Sequence, residues 1–192
     1  LLVPKKIDIE SFSDSFDIGL EPKNLTTDLC GKYRPGHFLA VIDIVHRFFQ
    51  IIKPKNILLG KKDYQQVIVI KELVKIYNYN IDVITSDTIR NKDGLALSSR
   101  NNLLTKGEMK SAAKIYKALL LASELCSNNI SLNEVSRKIN ELFIKSDIKL
   151  EYFAIRDLKT LQHANDSDLI ALIAVYLGEI RLIDNIIIKS NP

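Results

Sequence analysis

Two polar runs carry the chemistry this chain could do: Gly60-Lys61-Lys62-Asp63-Tyr64-Gln65-Gln66 and Asp93-Gly94-Leu95-Ala96-Leu97-Ser98-Ser99-Arg100-Asn101. In the first, a Gly closes an apolar run and lets backbone approach a phosphate. The helix start that follows offers free N–H groups and the positive end of a dipole. A lysine there neutralises phosphate as a point charge, and Gln65 and Gln66 offer amides to a carboxylate or hydroxyl. The competing reading is a helix N-terminus capped by Asp63 with solvated lysines, because a lone strand–Gly–helix is a weak phosphate signal. In the second run, Asp93-Gly94 signals a turn. Ser98, Ser99 and Arg100 then supply two hydroxyls and a guanidinium suited to bidentate phosphate recognition. The competing reading there is a polar interdomain loop.

Other candidates carry less. His37, in the turn Arg34-Pro35-Gly36-His37-Phe38, is a possible acid or base, and equally a residue that caps or packs. His46 reads as a surface or internally satisfied histidine, and His163 lies in a polar loop. Arg181-Leu182-Ile183-Asp184-Asn185 reads as a strand with a surface ion pair. No Cys/His cluster has zinc-site spacing. Cys30 and Cys126 read as two reduced thiols, which fits a cytoplasmic protein.

These residues need elements to hold them. Apolar positions Val41, Ile44, Val45, Phe48, Phe49 and Ile52 predict an amphipathic helix over 38–52, stopped by Pro54. Residues 56–60 and 81–85 read as buried parallel strands, with a helix over 63–77 between them and a right-handed connection. Open α/β sheets bind ligands beyond the carboxyl ends of their strands, which is where both polar runs lie. Residues 7–30 read as irregular with a short strand, and Leu1-Leu2-Val3-Pro4 as the end of a buried strand. Helices over 105–125 and 131–144 each begin with a capping-box pattern, Thr105/Glu108 and Ser131/Glu134. Strands follow at 150–153, 169–175 and 180–188, with Gly178 turning between the last two. The expected fold class is α/β with a parallel sheet over 1–102, followed by a smaller α+β domain over 103–192.

Composition is consistent with this. The chain has 192 residues, 46% hydrophobic and 26% charged, with a net charge of +4. That is ordinary globular composition. The basic residues are dispersed, with no basic stripe of interleaved aromatics, which argues against nucleic acid. No apolar run reaches the roughly 20 residues of a membrane span.

Taken together, Tyr33-Arg34-Pro35-Gly36-His37-Phe38, Gly60 to Gln66, Asp93 to Asn101 and Arg181 to Asn185 resemble the pantothenate synthetase (pantoate–β-alanine ligase) family in order and spacing. The resemblance implies a partial Rossmann-like nucleotidyltransferase domain. It also implies condensation of pantoate with β-alanine, with ATP and Mg²⁺, through a pantoyl-adenylate, releasing pyrophosphate and AMP. By resemblance Gly60, Lys61, Lys62 and Asp63 line the ATP site, with Lys62 on the phosphates. Gln66 binds pantoate, and the Ile89 backbone meets adenine. Leu97, Ser98, Ser99 and Arg100 close over the ribose and phosphates. Lys62, Ser98, Ser99 and Arg100 are the expected catalytic set, and the full-length protein is expected to be a homodimer.

Two departures accompany the resemblance. Lys61 stands where the family usually has Glu, adding positive charge beside the phosphate lysine. The family's opening strand and His-x-Gly-His turn have no counterpart in this sequence, and His37 belongs to a later turn. The expectation is therefore that this stretch alone is incomplete and inactive. The rival reading is a non-catalytic truncated or split paralogue that binds nucleotide or a partner chain. A third is another nucleotidyltransferase, with Gln65 and Gln66 as the deciding contacts.

Overall fold

The computed structural model describes residues 3–144, 146–164 and 168–188. The chain packs as two compact units, Leu1–Ser86 and Asp87–Pro192. Sequence reading places the boundary between 102 and 103; in the packing, segment 87–102 goes with the second unit, where Leu95 joins the core.

In the first unit, the stretch expected to be irregular with a strand is helical instead. It holds α1 (Lys6–Phe12), a 3-10 turn at Ile18–Leu20, α2 (Lys23–Thr26) and α3 (Cys30–Tyr33). Phe16, Leu25, Leu29 and Cys30 of this stretch are buried, Phe16 against His46 and Tyr77, so tertiary burial outweighs weak local periodicity. Leu1 and Leu2 lie outside the described residues. Val3 is 78% exposed and in no strand, contrary to the expected strand end.

Helix α4 (His37–Ile52) starts after Gly36, whose φ of +76° places it in the left-handed region. It ends at Lys53, also left-handed, just before Pro54. The helix is where the periodicity put it, but its buried stripe is Phe38, Ile42, His46 and Phe49. Ile44 and Ile52, expected on the apolar face, are exposed. The stripe follows steps of four and three residues through His46, a polar residue that apolar counting skips.

Strand β1 (Asn56–Gly60) pairs in parallel with β2 (Asp82–Ser86), and Gly60 lies opposite Ser86 at their carboxyl ends. Between them runs α5 (Tyr64–Ile76), preceded by a 3-10 turn at Lys61–Asp63. Val67, Ile68, Val69, Ile70 and Leu73 are all buried, so α5 is covered around most of its circumference. The strands are less buried than expected. Alternate residues are exposed along both, including Leu58 and Ile84.

In the second unit, α6 (Lys106–Ser127) is capped as the sequence predicts. Thr105 Oγ1 accepts from Glu108 N–H at 3.2 Å, and Glu108 Oε2 accepts from Thr105 N–H at 2.8 Å. Ser131 likewise accepts from Glu134 N–H ahead of α7 (Leu132–Ile144). The Glu134 carboxylate bonds Arg137. Strands β3 (Ile148–Asp157), β4 (Leu169–Leu177) and β5 (Ile180–Ile188) form an antiparallel sheet in the order β3-β4-β5. The two-residue turn from β4 to β5 opens on Gly178 at φ +53°, the left-handed geometry a tight hairpin needs. β4 is buried on both faces, as its unbroken apolar run implies. Ala112, Ile115, Leu119, Ala122, Val135 and Ile139 from the helices pack with Ile173, Val175 and Leu182 from the sheet. The mixed α/β expectation is met by a parallel pair and a separate antiparallel sheet. Among the described residues, no helix is long and apolar enough to cross a membrane.

Candidate functional site

The first polar run sits at the carboxyl end of β1. Gly60 is exposed, and a Cβ built on it would meet no atom within 4 Å. Its φ of −77° is open to any residue, so the glycine is not demanded by backbone conformation; what it provides is unobstructed access to the main chain. Lys61, Lys62 and Asp63 form the 3-10 turn that leads into α5. The Lys62 side chain is only 18% exposed, with Nζ 3.8 Å from Asp63 Oδ1. Asp63 occupies the N-cap position of α5, yet its side chain accepts no capping bond. The capping role that sequence reading allowed it is therefore not used.

The two neighbouring glutamines part company. Gln65 is buried, and its amide is committed to the protein. Nε2 donates to the carbonyls of Leu25 at 2.7 Å and Asp28 at 2.9 Å, while Oε1 accepts from Cys30 N–H at 3.1 Å. It is a structural brace, which corrects the expectation that both glutamines could face a ligand. Gln66 is half-buried on the next position of the helix. Helical geometry turns successive residues by about 100°, enough to send one inward and the other toward the surface.

The second polar run belongs to the second unit. Around Gly94 the chain makes a tight turn. Asn91 Oδ1 accepts from Asp93 N–H and Leu95 N–H, and Gly94 N–H donates to Asn91 O. Gly94 has φ +87°, and a Cβ there would lie 2.4 Å from Tyr116 Cδ1, so this glycine is required twice over. Arg90 and Ala96 form an isolated bridge, and Leu97 N–H donates to Ile89 O at 2.9 Å. Leu95 and Ala96 are buried, whereas Ile89 is 72% and Leu97 51% exposed. Ser98 then accepts from Arg100 N–H at 3.3 Å, starting a 3-10 turn over Ser99–Leu103. Ser99 and Arg100 are exposed on it. Asn101 donates to Ala96 O at 3.1 Å, and its Oδ1 is buried with no hydrogen-bond partner among the described residues.

What sequence reading missed is Arg90. Its guanidinium forks onto Asp184, with Nη1 2.6 Å from Oδ2 and Nη2 2.9 Å from Oδ1. It also donates to Gly94 O and Asn185 O, and its Cζ lies over the Tyr116 ring, 3.8 Å from the centroid. The available signal was Asp184 itself, a lone carboxylate in an apolar strand that must be paired when buried. The surface ion pair expected within Arg181–Asn185 does not form. Arg181 instead bonds Glu151 of β3, with Nη2 2.6 Å from Oε2. Three residues apart on a strand, Arg181 and Asp184 point to opposite faces, so each finds a different partner.

The remaining candidates resolve as follows. His46 is buried and bonded to Gln50 and Tyr79. His37 begins α4 with its ring 5.2 Å from that of Phe38. His163 is exposed. Cys30 and Cys126 are both free, and burial pushes the Cys126 thiol up, away from the thiolate form a nucleophile needs. Among the described residues, no three His, Cys, Asp or Glu gather as a metal site. Two cavities, of about 530 and 610 Å³, are lined by other residues: the first by Phe49, Pro54, Tyr79 and Ile81 among others, the second by Phe143, Asp147 and Leu150 among others.

Comparison with known proteins agrees across nearly the whole chain. The pantothenate synthetase of Coprothermobacter proteolyticus is 37% identical over 194 residues, covering 98% of this chain and 66% of that protein. The crystal structure of pantothenate synthetase from Thermus thermophilus superposes with a TM-score of 0.85 at 33% identity, over 94% of this chain and 66% of that one. Pantoate-beta-alanine ligase from Francisella tularensis, whose structure is a complex with beta-gamma ATP and beta-alanine, superposes with a TM-score of 0.65 at 38% identity, over 87% of this chain and 56% of that one. The chain thus spans just under two thirds of the length of the curated relatives it matches. The sequence profile of the pantoate-beta-alanine ligase family matches residues 2–187, and the chain belongs to that family.

Proposed function

We propose that the protein to which this chain belongs joins pantoate to β-alanine at the expense of ATP. In the proposed reaction a carboxylate oxygen of pantoate attacks the α-phosphorus of ATP. The bond to the β-phosphate oxygen breaks and pyrophosphate leaves. The β-alanine amine then attacks the acyl carbon of the pantoyl-adenylate, loses a proton, and expels AMP as the amide forms. The observation that carries the reading is Lys62, a largely enclosed lysine at the end of a parallel strand beside the open backbone of Gly60. A cation held in that setting stabilises charge developing on a phosphate more than it would in water.

In this reading Gly60, Lys61, Lys62 and Asp63 line the ATP site, and Lys62 contacts the phosphates. Gln66 takes pantoate, a role the commitment of Gln65 leaves to it. The Ile89 backbone meets adenine, and Leu97, Ser98, Ser99 and Arg100 cover ribose and phosphates. Exposure of Ser99, Arg100 and Leu97 supports a ligand-facing loop. Mg²⁺ fits as a companion of the triphosphate, since it binds through phosphates, waters and one or two carboxylates; Asp63, 52% exposed beside Lys62, is the carboxylate at hand. When bound it supplies charge neutralisation between the phosphates. A Rossmann-like first domain, a homodimer and a cytoplasmic setting complete the proposal by family likeness.

The test is AMP release by the whole protein with ATP–Mg²⁺, pantoate and β-alanine. Release that requires both acids is expected, and Lys62→Ala should lower the pantoate-dependent step by about 100-fold or more. ATP binding without AMP release would leave the rival reading, a nucleotide-binding relative that does not catalyse.

A further inference from the structure

We infer that Arg90, held between Asp184 and Tyr116, is a positioning residue that sets the conformation of the Leu97–Arg100 loop; its consequence for ATP rests on the function proposed above. All the parts lie in one unit. Arg90 engages Gly94 O, both Asp184 carboxylate oxygens and Asn185 O. Its guanidinium carbon lies 3.8 Å from the centroid of the Tyr116 ring. One side chain therefore ties the turn before the loop to β5 and to α6. Immediately beyond it, the Ala96 bridge and the Leu97-to-Ile89 hydrogen bond transmit that placement to Leu97. The side chains of Arg90 and Asp184 are 17% and 2% exposed, so the pair is enclosed, while Ser99 and Arg100 just downstream face outward.

The geometry demands arginine in particular. A planar fork with five donors can meet two carboxylate oxygens and two carbonyls and still stack on a ring. Lysine keeps the charge but offers a single ammonium that cannot span those acceptors. Gly94 completes the fit, because any Cβ there would displace the Tyr116 ring on which the guanidinium rests.

The test compares wild type with Arg90→Lys and Tyr116→Leu, because removing the charge altogether would strand Asp184 and endanger folding. Backbone amide exchange is read at Leu97 and Asn101, whose N–H groups bond Ile89 O and Ser98 O, against core amides such as Ile173. Exchange at Leu97 and Asn101 should quicken by about tenfold in both variants, with Ile173 unchanged, because the loop opens locally without global unfolding. In the whole protein the KM for ATP should rise by a similar factor while the KM for β-alanine holds. Loop exchange that stays at the wild-type rate in Arg90→Lys, or rises in step with Ile173, overturns the inference. If the wild-type protein binds no ATP, the exchange result still decides the anchor, and the failure belongs to the proposed function.

Discussion

The Gln65 amide clasps the backbone on both sides of Leu29. It bonds Leu25, Asp28 and Cys30, and Leu29 between them is held at φ +52° and ψ −124°. That backbone conformation is costly for a side chain bearing Cβ, and Leu29 is also buried. The brace and the strain belong together. The glutamine adds three hydrogen bonds to a tight, irregular turn, one of them to Asp28 O, which also accepts from Gly31 N–H.

Gln65→Ala should therefore destabilise the fold by about 3 kcal/mol, from three lost hydrogen bonds at roughly 1 kcal/mol each. Gln66→Ala should leave the unfolding midpoint nearly unchanged and weaken use of pantoate. Urea denaturation of both variants, set beside pantoate KM in the whole protein, separates the two. Equal destabilisation by both substitutions would contradict the assignment.

Gly60 and Gly94 should respond oppositely to alanine. At Gly60 the added methyl meets open space, so Gly60→Ala should fold as wild type and lose affinity for ATP through obstructed backbone approach. At Gly94 the methyl meets Tyr116 at φ +87°, and a cost of about 2 kcal/mol or more is expected. Thermal unfolding and ATP titration, run on both variants, give the comparison; an unaltered ATP affinity in Gly60→Ala would remove the support that glycine lends to a phosphate site.

His46 makes stability depend on pH. Gln50 Oε1 accepts from Asp14 N–H, so the Gln50 NH₂ faces His46 Nε2 at 2.9 Å and must donate to it. The proton is then on Nδ1, toward Tyr79 Oη at 3.0 Å. A second proton would face the Gln50 donor. Burial holds the His46 pKa below its ordinary 6.5, and the charge of Arg47 acts in the same direction, against the opposing pull of Asp43 and Asp14. Folded His46 therefore binds a proton less readily than unfolded His46. Its contribution is full above about pH 6.5 and is lost as pH falls, by up to about 1.4 kcal/mol per pH unit. Unfolding free energies of wild type and His46→Gln between about pH 7.5 and about 5 should show a shallower slope in the variant. Parallel slopes would mean that another group carries the dependence.

Local pattern in the amino-acid order accounts for much of this fold. Helix α6 with its Thr105–Glu108 box, the parallel strands on either side of α5, the β4–β5 hairpin at Gly178 and the family motifs are all legible in that order. Each rests on residues near one another in the chain, where periodicity, capping and turn chemistry act. Which side chains those elements spend on holding themselves together depends on the folded arrangement instead. Gln65 and Gln66 are neighbours of identical type, and the position of the Leu25–Cys30 turn is what makes one a brace. His46 lies on the buried stripe of α4 because Gln50 and Tyr79 can satisfy it there. Arg90 and Asp184 are distant in sequence and meet because the turn at Gly94 packs against β5. Pairing of buried polar groups is a long-range property. The need for a partner can be read from a lone charge in an apolar strand, but its identity is set by the fold.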